Sequence, residues 1–148
     1  MDRISKARRS WNMSRIKAEN TSPERSVRST LHRAGLRFRL HQRSLKGRPD
    51  IVLPRFRTVI FVHGCFWHRH SACGFAYFPK TRIAFWKKKF DENVARDRRT
   101  CKYLRRNGWR VIVVWECETT EPVILRKLIA RVVSPTEPRR PHDRERQT

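Results

Sequence analysis

The chain has 148 residues, enough for one domain with a hydrophobic core and little more. Its 36 Lys and Arg against 13 Asp and Glu give a formal net charge of +23, which favours a polyanionic partner, nucleic acid ahead of an anionic membrane surface. No apolar run approaches the roughly 20 residues of a membrane span, and the N-terminus MDRISKARRSW lacks the apolar stretch of a signal peptide.

Residues 1–20 are basic, carry no helix-length apolar stripe and are expected to form a flexible arm, with Met13 as a candidate second start. Thr21-Ser22-Pro23-Glu24 signals a helix start: a hydroxyl cap, then proline, then an acid in the first turn. Val27, Leu31 and Ala34 share one face, and Gly35 ends the helix. LRFRLH, DIVL from Asp50 and TVIFV from Thr58 are short strands. Lys46-Gly47-Arg48-Pro49 and Pro54-Arg55 are turn signals that suit hairpin connections.

Residues 74–81 form a loop. TRIAFWKKKFDENVARDRRTCKYLRRNG is one long helix, or two with a break near Asp91–Asn93. Its stripe is Phe90, Val94, Cys101 and Leu104, and Asn107-Gly108 stops it. WRVIVVW, 109–115, is a continuous apolar run, as in a strand buried on both faces. Thr120-Glu121-Pro122 opens a last helix with Val123, Leu128, Ile129 and Val132 apolar. From Ser134 proline and charge dominate, so residues 134–148 are expected to be a disordered tail. One domain over 21–133 remains, ordered α-β-β-β-α-β-α. The strand from Thr58, the long helix and the strand 109–115 make a crossover unit. Those two strands are expected to be parallel, which brings Cys65 and Cys117 to one edge of the sheet.

Cys65, Cys73, Cys101 and Cys117 allow two disulfides, but a mixed α/β domain of this size needs no staples. A reducing, cytoplasmic compartment and a metal site fit HGCFWHRHSAC better. Cys65, His70 and Cys73 form a C-x4-H-x2-C cluster, and zinc takes four such ligands. Cys117 is the expected fourth. Cys101 competes, but on the apolar stripe it suits a small core residue better. A closed set of this kind is structural; the plainer alternative is buried thiols beside a surface histidine.

With His70 on zinc, His63 and His68 remain beside a rigid ligand. GRPD places Asp50 at a strand start, with His63 at the end of the next strand. This arrangement suits a nuclease, in which an aspartate holds Mg2+ to polarise the phosphate and the attacking hydroxide. Glu24 would reach the same site through metal-bound water. A turn or strand-capping acid is the plainer alternative for Asp50.

MSRIKAENTSPE, GRPDIVLP, VIFVHGCFWHRH, TRIAFWKKKF, NVARDRR and GWRVIVVWECE run in this order from Met13 to Glu118. With these motifs the chain resembles the very-short-patch repair (Vsr) DNA mismatch endonucleases. The resemblance implies an α/β fold with a restriction-endonuclease-like core, a mixed central sheet flanked by helices and a structural zinc site. It implies a Mg2+-dependent, strand-specific nick 5′ to the T of a T:G mismatch left by deamination of 5-methylcytosine. Asp50 matches the Mg2+-binding aspartate, with the Val62 backbone carbonyl beside it. His63 and His68 match the active-site histidines and Glu24 the helix glutamate. Cys65, His70, Cys73 and Cys117 match the Zn2+ ligands, and Phe66, Trp67 and Trp86 the aromatics that wedge into the base stack. Aromatics at such spacing can also be core.

On the same resemblance, His68 is base or water positioner and His63 stabilises charge at phosphorus, both as acids or bases near neutral pH. The implied partner is double-stranded DNA with a T:G mismatch, with a mismatch-repair protein as a candidate second partner. The implied setting is a monomer in the bacterial cytoplasm, at the nucleoid. Two departures matter. Phe61 and His63 stand where the common restriction-nuclease pattern has an acid and a lysine, and Val62 stands where some members carry a hydroxyl residue. The rival readings are a restriction-type nuclease of the same core cutting matched DNA, and a non-catalytic zinc DNA-binding module. Asp50 with His63 and His68 argues against the module.

Overall fold

A computed structural model describes residues 20–134; the expected basic arm up to residue 19, Met13 within it, and the tail beyond Ser134 lie outside the described residues. Asn20, expected in the arm, is tied to the domain: its amide donates to Glu24 Oε2 at 3.0 Å and its side-chain oxygen accepts from Arg28 at 2.8 Å.

Helix α1 spans Ser22–Arg33 and starts as its residues dictate. The Thr21 hydroxyl caps it by accepting the Glu24 amide, and proline occupies the first turn, where no amide is needed. Val27 and Leu31 are fully buried. Ala34, expected on that face, is the C-cap and is exposed. Gly35, at φ 79°, turns the chain out of the helix.

Strand β1 is only Arg39–Leu40, both exposed, although LRFRLH promised more. It is a sheet edge paired with one neighbour, and His41 at φ 44° turns the chain away after one further backbone hydrogen bond, from its amide to the Asp50 carbonyl. Strand β2, Ile51–Leu53, and strand β3, Thr58–His63, form an antiparallel hairpin with Ile51 opposite Ile60, joined by a 3-10 turn over Pro54–Phe56. Helix α2, Ile83–Arg106, is unbroken. The break expected near Asp91–Asn93 does not occur: Asn93 is buried, and its side-chain amide donates to the Trp67 carbonyl instead of competing for its own helix. Strand β4, Arg110–Trp115, lies parallel to β3, from Thr58 opposite Arg110 to His63 opposite Trp115. Helix α3, Pro122–Val133, is capped at Glu121 and not at Thr120, whose hydroxyl donates to the Cys117 carbonyl. Val123, expected on its apolar stripe, is exposed.

The sheet order β1-β2-β3-β4 is mixed, and both faces are covered. Alternation along the strands divides the core in two. Ile51, Leu53, Ile60, Ile112 and Val114 pack with Val27 and Leu31 of α1 and Leu128 and Val132 of α3. Val52, Val59, Phe61 and Val111 pack on Leu104 of α2, with Cys101 and Val113 at the margin. Cys101 is therefore the core residue its stripe predicted. The same alternation sends His63, two residues after Phe61, to the α2 side.

Candidate metal and catalytic site

Because β3 and β4 are parallel, the chain leaves both strands at the same edge, and three groups of metal-capable side chains gather there and at the adjoining end of α1. The first is Cys65, His70, Cys73 and Cys117, whose ligand atoms all lie within 4.8 Å of one another. His70 Nδ1 is 3.7 Å from Cys65 Sγ and 3.4 Å from Cys117 Sγ. Tetrahedral bonds of about 2.3 Å to sulfur and about 2.0 Å to nitrogen would set sulfur and nitrogen about 3.5 Å apart. The four residues brought together are those expected from the sequence, and this donor set could hold a zinc ion. Burial pushes the Cys65 thiol up and the Cys117 thiol up to about 12, while the Phe75 backbone amide draws Cys73 down. Thiols so raised are neutral without a metal, and a bound cation would draw off their protons.

The second group is His63, His68 and Asp97. The two imidazoles stack, with centroids 3.9 Å apart and planes 5° from parallel. His68 Nδ1 lies 2.6 Å from Asp97 Oδ2. Burial alone would raise the Asp97 carboxyl, but the hydrogen bond and charge of His68 outweigh it and bring the carboxyl below its usual range. An ionised Asp97 fixes the proton on Nδ1 and leaves His68 Nε2 to accept another. His63 behaves differently. Burial, and then the charge of His68, lower it to about 4, so its imidazole is neutral at pH 7.

The third group is Glu24, His41 and Asp50. Glu24 is a buried carboxylate at the start of α1, and Oε2 accepts from Arg28 at 3.1 Å and from the Asn20 amide. Arg28 also lies 3.0 Å from His41 Nε2. A guanidinium only donates, so this nitrogen is the acceptor, the ring proton sits on Nδ1, and Nδ1 faces Asp50 Oδ1 at 3.9 Å. Asp50 Oδ2 accepts the Val62 amide at 2.7 Å. It is thus the Val62 N–H that touches Asp50. Burial and the nearby Glu24 push the Asp50 carboxyl up to about 6, against that hydrogen bond and the proximity of His41 and His68. A carboxylate so raised is short of positive charge. The oxygen donors of Asp50 and Glu24 could hold a hard cation such as Mg2+. The influence of His68 on Asp50 marks the second and third groups as neighbours.

Trp115, at the end of β4, joins the first group to the second. Its ring stacks on His70 with centroids 4.3 Å apart and meets His63 edge-on at 5.4 Å. Beyond the loop lies an aromatic cluster. Phe66, Trp67 and Trp86 are half-buried and in mutual contact, at 5.2 Å, 5.6 Å and 5.8 Å between centroids. They belong neither wholly to the core nor wholly to the surface.

Asp97, His41, Asn93 and Arg28 were not singled out from the sequence. The signal for Asn93 and Asp97 lay in the pattern: both fall on the stripe of Phe90, Cys101 and Leu104, where a polar side chain needs a reason. Asp97 lies within the charged run ARDRR, a composition that a solvated helix face shares. His41 and Arg28 carried no such signal, because only the fold brings α1 to the end of β1.

Residues 1–74 match the family model described as DNA mismatch endonuclease Vsr. The type II nicking enzyme V.XorIIP of Xanthomonas oryzae pv. oryzae is 46% identical over 135 residues, covering 91% of this chain and 98% of that protein. The DNA mismatch endonuclease Vsr of Escherichia coli K12 is 49% identical over 112 residues, 76% of this chain and 71% of that protein. The type II nicking enzyme V.NmeAIP of Neisseria meningitidis is 40% identical over 132 residues, 89% and 94% respectively. The chain belongs to the Vsr family of DNA mismatch endonucleases.

Proposed function

We propose that this protein nicks one strand of duplex DNA 5′ to the T of a T:G mismatch, the product of 5-methylcytosine deamination, and so starts very-short-patch repair. The observation that carries the reading is the His68–Asp97 pair, 2.6 Å apart, stacked against His63 and within electrostatic reach of Asp50. A pure DNA-binding module has no use for an acid-oriented histidine beside a raised carboxylate. Cutting a single strand is in keeping with the names of the relatives, which are nicking enzymes.

Asp50 would hold Mg2+ with the Val62 carbonyl, and Glu24 would reach it through water. When bound there, Mg2+ supplies Lewis-acid polarisation of the scissile phosphate and of the attacking water. His68 Nε2 takes the proton from that water, and Asp97 fixes the tautomer and steadies the resulting imidazolium. His63, neutral by burial, serves through an N–H hydrogen bond to a phosphate oxygen and not through a positive charge. Cys65, His70, Cys73 and Cys117 would hold Zn2+ as a structural ion, and Trp115, stacked on His70 and edge-on to His63, ties their loop to the catalytic histidines. Phe66, Trp67 and Trp86 form the wedge, selective because a mismatched step opens more cheaply than a paired one. The protein acts as a monomer, with a mismatch-repair protein as a possible second partner besides the DNA.

The test is metal-dependent nicking of a T:G duplex by Asp50→Asn. Loss of nicking with retained DNA binding supports the assignment; nicking at the wild-type rate removes Asp50 from the mechanism.

A further inference from the structure

Arg69 holds both ends of the loop that follows β3. One terminal nitrogen donates to the Phe66 carbonyl at 3.2 Å and the Tyr77 carbonyl at 3.0 Å, and the other donates to the Ala76 carbonyl at 2.8 Å. The guanidinium also lies over the Phe90 ring, 4.1 Å from its centroid, and Phe90 is buried in α2. Only a planar fork of donors reaches three carbonyls from one face of a ring, which a lysine ammonium would not do. The backbone after Cys65 and the backbone after Cys73 are therefore clasped together against α2 by side-chain contacts alone.

This clasp has a consequence for Tyr77. Its carbonyl is fixed, yet the residue is 64% exposed and its ring rests on Phe66 at 5.1 Å between centroids. Phe66 itself is surrounded by the rings of Trp67, Tyr77, Trp86 and Phe90. Enclosed on so many sides, it braces the wedge from within and supports Tyr77. An aromatic ring held in water by a rigid backbone is a ready platform for another flat group. The surroundings name the occupant: Arg82 lies over the exposed Phe85 ring at 4.2 Å, Lys80 and Lys87 are exposed nearby in sequence, and the chain carries +23 charges. Positive charge interleaved with exposed rings matches nucleic acid, whose phosphates and base faces meet both.

We propose that Tyr77 is a further DNA-contacting aromatic, stacking beside the mismatch, with Phe66 as its support and Arg69 as the clasp that fixes both. The inference rests on the mismatch-nuclease reading and adds a contact to it. The test uses the full chain and a T:G duplex with 2-aminopurine next to the mismatch, compared with a T:A duplex. Tyr77→Ala, Tyr77→Phe, Arg69→Lys and Trp67→Ala are measured beside wild type, with metal content and circular dichroism as checks on folding. Tyr77→Ala is expected to weaken T:G binding about tenfold and to reduce the fluorescence rise, the scale of one lost base stack. Tyr77→Phe keeps both, since the ring and not the hydroxyl stacks. Arg69→Lys loses part of both at unchanged metal content. If Tyr77→Ala matches wild type while Trp67→Ala fails, this inference is overturned and the mismatch reading stands. If wild type binds T:G and T:A equally, the mismatch reading falls. Tyr77 is then judged on the T:A duplex, where a tenfold loss upholds the contact and no change overturns it.

Discussion

Asp50 sits where two demands oppose each other. Its burial beside Glu24 makes the ionised form costly, and a metal-binding carboxylate must be ionised. The sign follows from the raised pKa: a group lifted from 3.8 to about 6 in the folded protein stabilises the fold at low pH, and that stability is lost as pH rises through this interval. Asp50→Asn should therefore stabilise the metal-free protein at pH 8 by about 3 kcal/mol, at ~1.4 kcal/mol per pKa unit. The gain should vanish below about pH 4. Denaturant melts of both proteins at the two pH values check this, and an equal difference at both would refute it. For Asp97 the issue is orientation and not charge balance. Asp97→Asn can keep a hydrogen bond to His68 Nδ1 but favours the wrong tautomer. Nicking should fall by about a hundredfold or more while T:G binding changes little. Single-turnover rates with parallel binding measurements separate the two, and loss of binding alone would count against the role given to His68.

At the scale of elements, the site depends on how the GRPD loop meets α2. Gly47 has φ 81°, and a Cβ there would collide with the methyl of the buried Thr100. Gly47→Ala should cost about 1–3 kcal/mol, from backbone strain and the clash together. It should also depress nicking, because the same loop delivers Asp50 to the start of β2. A thermal melt tests the first effect; an unchanged melting temperature would show that Thr100 yields. The Cys/His loop is the other determinant. Cys117→Ala should remove the expected metal, about one zinc per chain, and lower stability markedly. Elemental analysis of the purified protein decides this, and full retention of metal by the variant would exclude Cys117 as a ligand.

Across the whole molecule, long and strongly patterned stretches were legible in the sequence. TSPE, NG and WRVIVVW carry their own caps, stop and burial, so α1, the end of α2 and β4 fall where those residues predict. The parallel pairing of β3 with β4, and hence the meeting of Cys65 with Cys117, followed from the crossover alone. What was not legible depends on tertiary neighbours. LRFRLH alternates like a strand, yet an edge with a single partner keeps little of it. Asp97 and Asn93 look like ordinary polar helix residues until the loop after β3 is laid over them. His41 and Arg28 acquire partners only once α1 is folded against β1 and β2. Charge acts at this scale too. With +23 on a small chain, DNA binding should weaken steeply with salt, by about a thousandfold between 50 and 200 mM if some six phosphates are neutralised.

The central claim is a cut on one strand at one mismatch. The measurement that meets it most directly is a mapped cleavage with Mg2+ on a duplex carrying a single T:G mismatch, each strand labelled in turn, beside the paired T:A duplex. A single nick on the T strand, immediately 5′ to the mismatched T, leaving a 5′-phosphate and sparing the paired duplex, is the predicted result. Equal cutting of the paired duplex, or cleavage of both strands, would contradict it.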